Sequence, residues 1–269
     1  MLRSIESLKG SAVAARDGAL GSVDEVYFDD EAWGVRYLVV DTGNWLNGHR
    51  VLISPYSVKH TDPGASTVSV DLTREQVKNS PSINTQQPVS RQRELDYLRY
   101  YGYPEYWGGS DSWGMGGFPV LGSMQIGPGI QTASLDPDEL EDDAQSEDVH
   151  LRSTEAVTGY HIEARDGSIG HVSGFIFDDE AWVIRYVTVD TRNWWPGGKT
   201  VLLATEWVDS VDWFGSSIVT GLTREAIKKC PDYDDLVPLS RTYEAALHTF
   251  HSKEGYWTKG NRASRRGDH

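Results

Sequence analysis

At 269 residues, with 38% hydrophobic residues, ten tryptophans and thirteen tyrosines, the chain has enough apolar mass for one large domain or two small ones and is not a disordered polyelectrolyte. A net charge of −15 repels phosphate backbones and anionic lipid faces, which argues against nucleic acid and membrane surfaces as partners. The single cysteine, Cys230, excludes an internal disulfide and a cysteine-rich zinc site; Met1 to Glu6 show no apolar signal core, and no run reaches the roughly 18 apolar residues of a spanning helix, so the reading is cytoplasmic.

In chain order, Asp17-Gly18 is the first hairpin turn, because glycine tolerates positive φ. Val23 to Phe28 is a strand, Asp29-Asp30-Glu31 a polar turn, and Val35 to Val40 a β-branched and aromatic run that reads as a central strand buried on most of both faces. Val51-Leu52-Ile53 and Thr67 to Val70 follow as strands. Thr73 to Lys78 is a short helix with a capping threonine, stopped by Pro81. Ser90 caps a second helix whose Leu95, Leu98, Tyr97 and Tyr101 form an apolar and aromatic stripe. Five or six short strands with closely spaced turns suggest a small barrel or sandwich.

Gly108 to about His150 breaks the pattern. It is Gly- and Pro-rich at first, then carries eight acids and no base between Leu135 and Val149, which reads as a flexible, self-repelling linker. The whole first unit then returns. Ala15–Trp45 and Ala164–Trp194 share 19 of 31 positions without a gap. After one inserted residue, Leu72-Thr73-Arg74-Glu75 matches Leu222-Thr223-Arg224-Glu225, and Tyr106-Trp107 matches Tyr256-Trp257. Lys259 to His269 is a basic, polar tail.

The run from Gly21 through Leu46, then Val51 to Pro55, then Val70 to Pro81, resembles the PRC-barrel. This is the small β-barrel of the cytoplasmic domain of the photosynthetic reaction-centre H chain and of the C-terminal domain of a ribosome-maturation factor. The chain is similar to the tandem class of that family over Leu2 to about Asn84 and Leu151 to about Asp234. The resemblance implies an all-β fold with short helical appendages, as two small PRC-type barrels in tandem. It places barrel 1 at residues 1–84, a helical tail at 85–107, the linker at 108–150, barrel 2 at 151–234, a second tail at 235–257 and a basic tail at 258–269. It also implies partner binding and assembly, with no shared catalytic motif. The chain lacks the membrane helix of the first relative, and a second barrel stands in place of the RNA-processing factor's N-terminal domain.

Candidate chemistry is sparse. Asp29-Asp30-Glu31 and Asp178-Asp179-Glu180 are contiguous acids without the spacing of an oxygen-ligand loop, and read as solvated hairpin turns. An enzyme reading would make Asp29 and Asp178 the acids of a hydrolase. Arg36 with Asp41-Thr42, and Arg185 with Asp190-Thr191, read as structural ion pairs or turn-amide acceptors. His248-x-x-His251 with Glu254 has metal-ligand spacing, but its repeat counterparts are Leu98, Tyr101 and Pro104, so packing or surface variation is the expectation. No catalytic, cofactor or metal residue is assigned. The aromatics Tyr103, Tyr106, Trp107, Trp113, Trp194, Trp195, Tyr256 and Trp257 carry two readings. They are lids folded back on each barrel, or a partner surface of the kind aromatics dominate. The function expected is a non-enzymatic scaffold with a protein partner, and with intramolecular barrel pairing or a homodimer. The alternatives are the hydrolase and an RNA- or ribosome-associated factor, which the acidic charge opposes.

Overall fold

Each half of the chain is organised around one strand too long for its hairpin partner. The structure, a computed structural model, describes residues 1–46, 48–81, 91–107, 113, 150–235 and 237–258. The Ser90 cap, nearly all of the expected linker and the basic tail lie outside these residues.

The first repeat runs β1 (Leu2–Ser4), β2 (Ala12–Ala15), β3 (Gly18–Asp29), β4 (Val35–Asp41), β5 (Arg50–Ile53), β6 (Val58–Asp62), β7 (Thr67–Val70), α1 (Arg74–Lys78) and α2 (Arg91–Tyr101). The second runs β8 (Leu151–Ser153), α3 (Thr154–Val157), β9 (His161–Ala164), β10 (Gly167–Asp178), β11 (Val183–Asp190), β12 (Thr200–Ala204), β13 (Val208–Asp212), β14 (Ser217–Thr220), α4 (Arg224–Lys229) and α5 (Arg241–Phe250). The fold is mostly β with short helices. The sheet orders β5-β4-β3-β2-β7-β6 and β12-β11-β10-β9-β14-β13 are the same order repeated, each open at its two ends rather than closed into a ring.

Local chemistry fixes the turns. Gly18 sits at φ 147°, and the carboxylate of Asp17 beside it accepts from the Arg74 amide at 2.8 Å, tying the first hairpin to the start of α1. Asp166 does the same for Arg224 at 2.7 Å. Thr73 and Gln76 form a reciprocal capping box, which satisfies two of the orphan amides of α1. Between β3 and β4, Trp33 is left-handed at φ 58°. That conformation is costly for a bulky side chain and is held by stacking on Phe28 at 5.3 Å.

β3 has twelve residues, and β2 pairs only with its first part, Gly18 to Ser22, while β4 takes the other side from Ser22 to Phe28. The far part of the β2 side would be left bare. It is filled by β8, with Tyr27 opposite Ser153, Phe28 opposite Arg152 and Asp29 opposite Leu151. The bare part of β10 is filled in turn by β1, with Ile176 opposite Ser4, Phe177 opposite Arg3 and Asp178 opposite Leu2. Each repeat's first strand therefore completes the other repeat's sheet, in the same register.

The compact units accordingly differ from the sequence repeats. The first unit is Glu6–Ala156 with Glu180–Val183; the second is Met1–Ile5, Val157–Asp179 and Ile184–His269. Leu151 joins Tyr27, Tyr37, Val39, Leu52, Tyr97 and Leu98 in one core cluster of the first unit. In the second unit Cys230 is buried beside the Leu202 carbonyl, and burial pushes its thiol up to about 12.

That thiol reports on the exchange. Replacing Leu2, Arg3 and Ser4 with glycine, all in the first repeat, is expected to speed labelling of Cys230, in the second repeat, by a disulfide reagent at least severalfold. Unchanged labelling would mean that residues 2–4 do not stabilise the second unit.

Candidate functional site: a buried carboxylate under each tail helix

The tail helices carry a glutamate where a solvated residue would be expected. Glu94 of α2 is wholly buried. Its Oε1 accepts from Tyr37 of β4 at 2.9 Å and from Tyr106, beyond the helix, at 2.7 Å. Its Oε2 meets His150 Nε2, which lies 3.1 Å from the Tyr106 hydroxyl. A buried carboxylate is tolerable only when paired and hydrogen-bonded, and this one is both. Burial, and then the charge of Glu94, raise Tyr37 and Tyr106 well above the ordinary phenol range, so both remain donors. Tyr97 adds a second attachment, donating to Leu52 O at 2.9 Å and accepting from the Ser54 amide at 3.2 Å.

The second unit repeats the arrangement with one substitution of parts. Glu244 accepts from Tyr186 at 2.8 Å and Tyr256 at 3.1 Å, and Arg241 pairs with its other oxygen at 2.9 Å. Burial raises its carboxyl above the usual range, against the hydrogen bond from Tyr186 and the charge of Arg241. The histidine here comes from the helix itself. His248 Nε2 lies 3.1 Å from the Tyr186 hydroxyl, Nδ1 lies 3.0 Å from Glu254 O, and the ring packs on Trp207 and Trp257. His251 packs on Trp207. The His248/His251 pair thus serves packing and the clamp, and among the described residues no cluster of three histidine, cysteine, aspartate or glutamate side chains is placed to hold a metal.

Arg36 is buried under the same tail. Its guanidinium lies 3.9 Å from the centre of the Tyr106 ring and 4.5 Å from that of Trp113, and pairs with Asp29 at 2.6 Å. Its partner is Asp29 across the hairpin, not Asp41 on its own strand. Asp41 accepts from the Gly43 amide at 2.8 Å, and its counterpart Asp190 is taken by Arg192 at 2.9 Å. Asp29 is fully committed: Oδ1 accepts from Ala32 N at 2.6 Å and Glu31 N at 3.2 Å, and Oδ2 from Gly34 N at 3.0 Å and Arg36. A Cβ on Gly34 would stand 2.5 Å from the Arg36 guanidinium. The second repeat has Val183 there, and Arg185 lies 3.8 Å from Asp178 with more of its side chain exposed.

The eight aromatics of the sequence reading are distributed as follows. Tyr106 and Trp113 are buried, Trp113 also donating to Ala181 O at 2.9 Å. Tyr103, Trp107, Trp194, Trp195, Tyr256 and Trp257 are partly buried. Trp107 lies under Arg91, Trp195 under Lys228, and Tyr256 and Trp257 under Arg241. Tyr103 packs on Tyr56, and Trp194 lies edge-on to His161. Sequence reasoning missed Glu94 and Glu244, although each sits at a fixed distance from a repeated tyrosine (Tyr106, Tyr256). Tyr100 and Phe250, outside the set of eight, occupy the same tail-helix position and stay 42% and 43% exposed.

A long strand shared by three neighbours, a capped short helix and a tail helix clamped through a buried carboxylate define a small, mostly β module with an open sheet, present twice. Residues 2–77 match the PRC-barrel domain family. Residues 2–77 thus carry a PRC-barrel domain, and the second repeat forms a second, similar sheet. No curated protein matches it. PRC-barrel domains point in general to binding or scaffold roles and are in general non-catalytic. No helix among the described residues is long and apolar enough to cross a membrane.

Two outcomes follow for the clamp. Glu94→Ala strands two tyrosine hydroxyls and a histidine in the core and is expected to cost about 3–5 kcal/mol, with Glu94→Gln costing less, in denaturant unfolding. His251 is lowered to about 4 by burial first, and then by His248 and Lys253. Its folded form binds fewer protons than the unfolded form, so its stabilisation is full above pH 6.5 and lost as pH falls toward 4. Glu244, raised, works with the opposite sign, losing stability as pH rises through its folded value. Comparison with His251→Leu isolates the histidine. The variant is expected to lose about 1–2 kcal/mol less than wild type across that window, a half-buried ring being partly screened.

Proposed function

We propose that the chain is a non-enzymatic scaffold that assembles protein partners on its tandem PRC-barrel modules. The observation that carries this reading is the aromatic exposed at one tail-helix position in both units, Tyr100 and Phe250. Both helices are fixed from beneath by the carboxylate clamp, so each aromatic is presented on a rigid element. A rigid exposed aromatic is the side chain that interface hot spots favour. Trp107 and the Trp194-Trp195 pair, partly buried, extend the candidate surfaces.

The hydrolase alternative asks Asp29 for a free lone pair, whereas both of its oxygens already accept donors within the turn. Asp178 pairs more loosely, and a test must include it.

The full chain, immobilised and exposed to extract of its native cell, is expected to retain a protein partner. Tyr100→Ala with Phe250→Ala should cut retention at least tenfold in a chain that still unfolds cooperatively. Tyr100→Phe, which removes only the hydroxyl that donates to Gln76 O at 2.9 Å, should keep it, and Asp178→Asn leaves it unchanged. A turnover that Asp178→Asn abolishes in the folded chain would overturn the scaffold reading.

A further inference from the structure

The two exchanged strands are the same tripeptide, Leu-Arg-Ser, and they enter their acceptor edges in equivalent registers. Each is recognised by the same chemistry: three ladder pairs, and an arginine reaching the aspartate just past the acceptor strand. Arg152 pairs with Asp30 at 3.0 Å, and Arg3 with Asp179 at 3.8 Å. The joints are not equally held. Ahead of β8 stands His150, buried against Glu94, and Leu151 is in the core cluster. Ahead of β1 stands Met1, whose carbonyl accepts from the Asp179 amide at 3.0 Å, as that of His150 does from Asp30, but which is 71% exposed. Its ammonium pairs with Asp179 and, at 3.6 Å, with Asp178 in contact with water, where an ion pair adds little, and Leu2 is only partly buried. The joint that opens first is therefore the one between β1 and β10.

We propose that Leu2–Ser4 and the edge of β10 form an exchangeable joint through which the chain pairs with a second copy of itself. An acceptor edge cannot distinguish its own chain's Leu-Arg-Ser from an identical strand of another copy, so the contacts are equal in the closed monomer and in the exchanged dimer. The balance then depends on concentration alone, against an intramolecular effective concentration on the order of millimolar. Three ladder pairs are too few to hold a free peptide. A reciprocal joint between two folded chains supplies the strand twice, and its two-fold symmetry closes the dimer rather than opening a fibre. This deepens the assembly reading by naming the chain itself as a partner, and rests on that reading only for its use in the cell.

Charge reversal separates self from non-self. A full chain carrying Arg3→Asp sets two carboxylates against each other at its own joint; a full chain carrying Asp179→Arg sets two guanidinium groups against each other. In a mixed dimer both joints are matched, one in the native sense and one reversed. The two preparations, given different mass labels, are refolded separately and together, and analysed by native mass spectrometry and by the rate of Cys230 labelling. The mixture is expected to hold at least tenfold more heterodimer than either preparation holds homodimer, and to recover slow labelling. The double variant, Arg3→Asp with Asp179→Arg in one chain, is expected to be monomeric. Dimers equally abundant in the separate preparations, or a mixture as monomeric as its parts, would overturn the joint. Neither outcome touches retention of a partner through Tyr100 and Phe250, so the two readings fail separately.

Discussion

A β-strand leaves no choice about its backbone: every amide and carbonyl on a side that faces neither water nor a neighbour must find a partner. β3 and β10 each run twelve residues, and their hairpin partners β2 and β9 cover only the first part. The uncovered stretch carries Phe28 and Phe177, both fully buried, so it cannot simply fray into solvent. A third strand is obligatory there, and the tripeptides at residues 2–4 and 151–153 supply it. The rest of each unit is arranged around this long strand, from the β4 ladder to the turn that Asp29 holds.

The second organising element is ionic. Glu94 and Glu244 are charges taken out of water, and their worth lies in what they specify rather than in net stabilisation. Two tyrosines, one from the sheet and one from the segment after the helix, converge on a single carboxylate, so the helix can dock in one position only. In the first unit the third ligand is a histidine that opens the incoming strand, which couples the seating of α2 to the seating of β8. In the second unit the third ligand is Arg241, from the tail helix itself, so that contact ties the carboxylate to its own helix instead. The same economy is visible around Arg36. A glycine at position 34 lets the guanidinium fold back onto Asp29 and between two rings, and the valine at 183 does not.

The strands and the first helix were legible in the sequence because local chemistry dictates them. Asp17-Gly18 can only turn, Thr73 with Gln76 can only cap, and the run from Val35 to Val40 is too apolar to face water on either side. Long-range identities were not legible. Arg36 has an aspartate five residues downstream and another seven upstream, and only the hairpin shows that the upstream one faces it. Glu94 drew no reading from the sequence, because nothing in its neighbours announces two tyrosines from elsewhere. The exchange was illegible for a stronger reason. Both repeats begin with Leu-Arg-Ser, so no pattern in the residues distinguishes a strand that returns to its own repeat from one that crosses to the other.

The exchanged strands also set an order of events at the ribosome. β1 emerges long before its acceptor, β10, which is complete only at Asp178. At about 5–20 residues per second, β1 waits roughly 10–35 s for its place. The sheet of the first unit, all of its own strands made by residue 70, stays one strand short until residue 153 appears. Neither unit can be finished while its own repeat is the only one synthesised, so the nascent chain commits to its final pairing late and almost all at once.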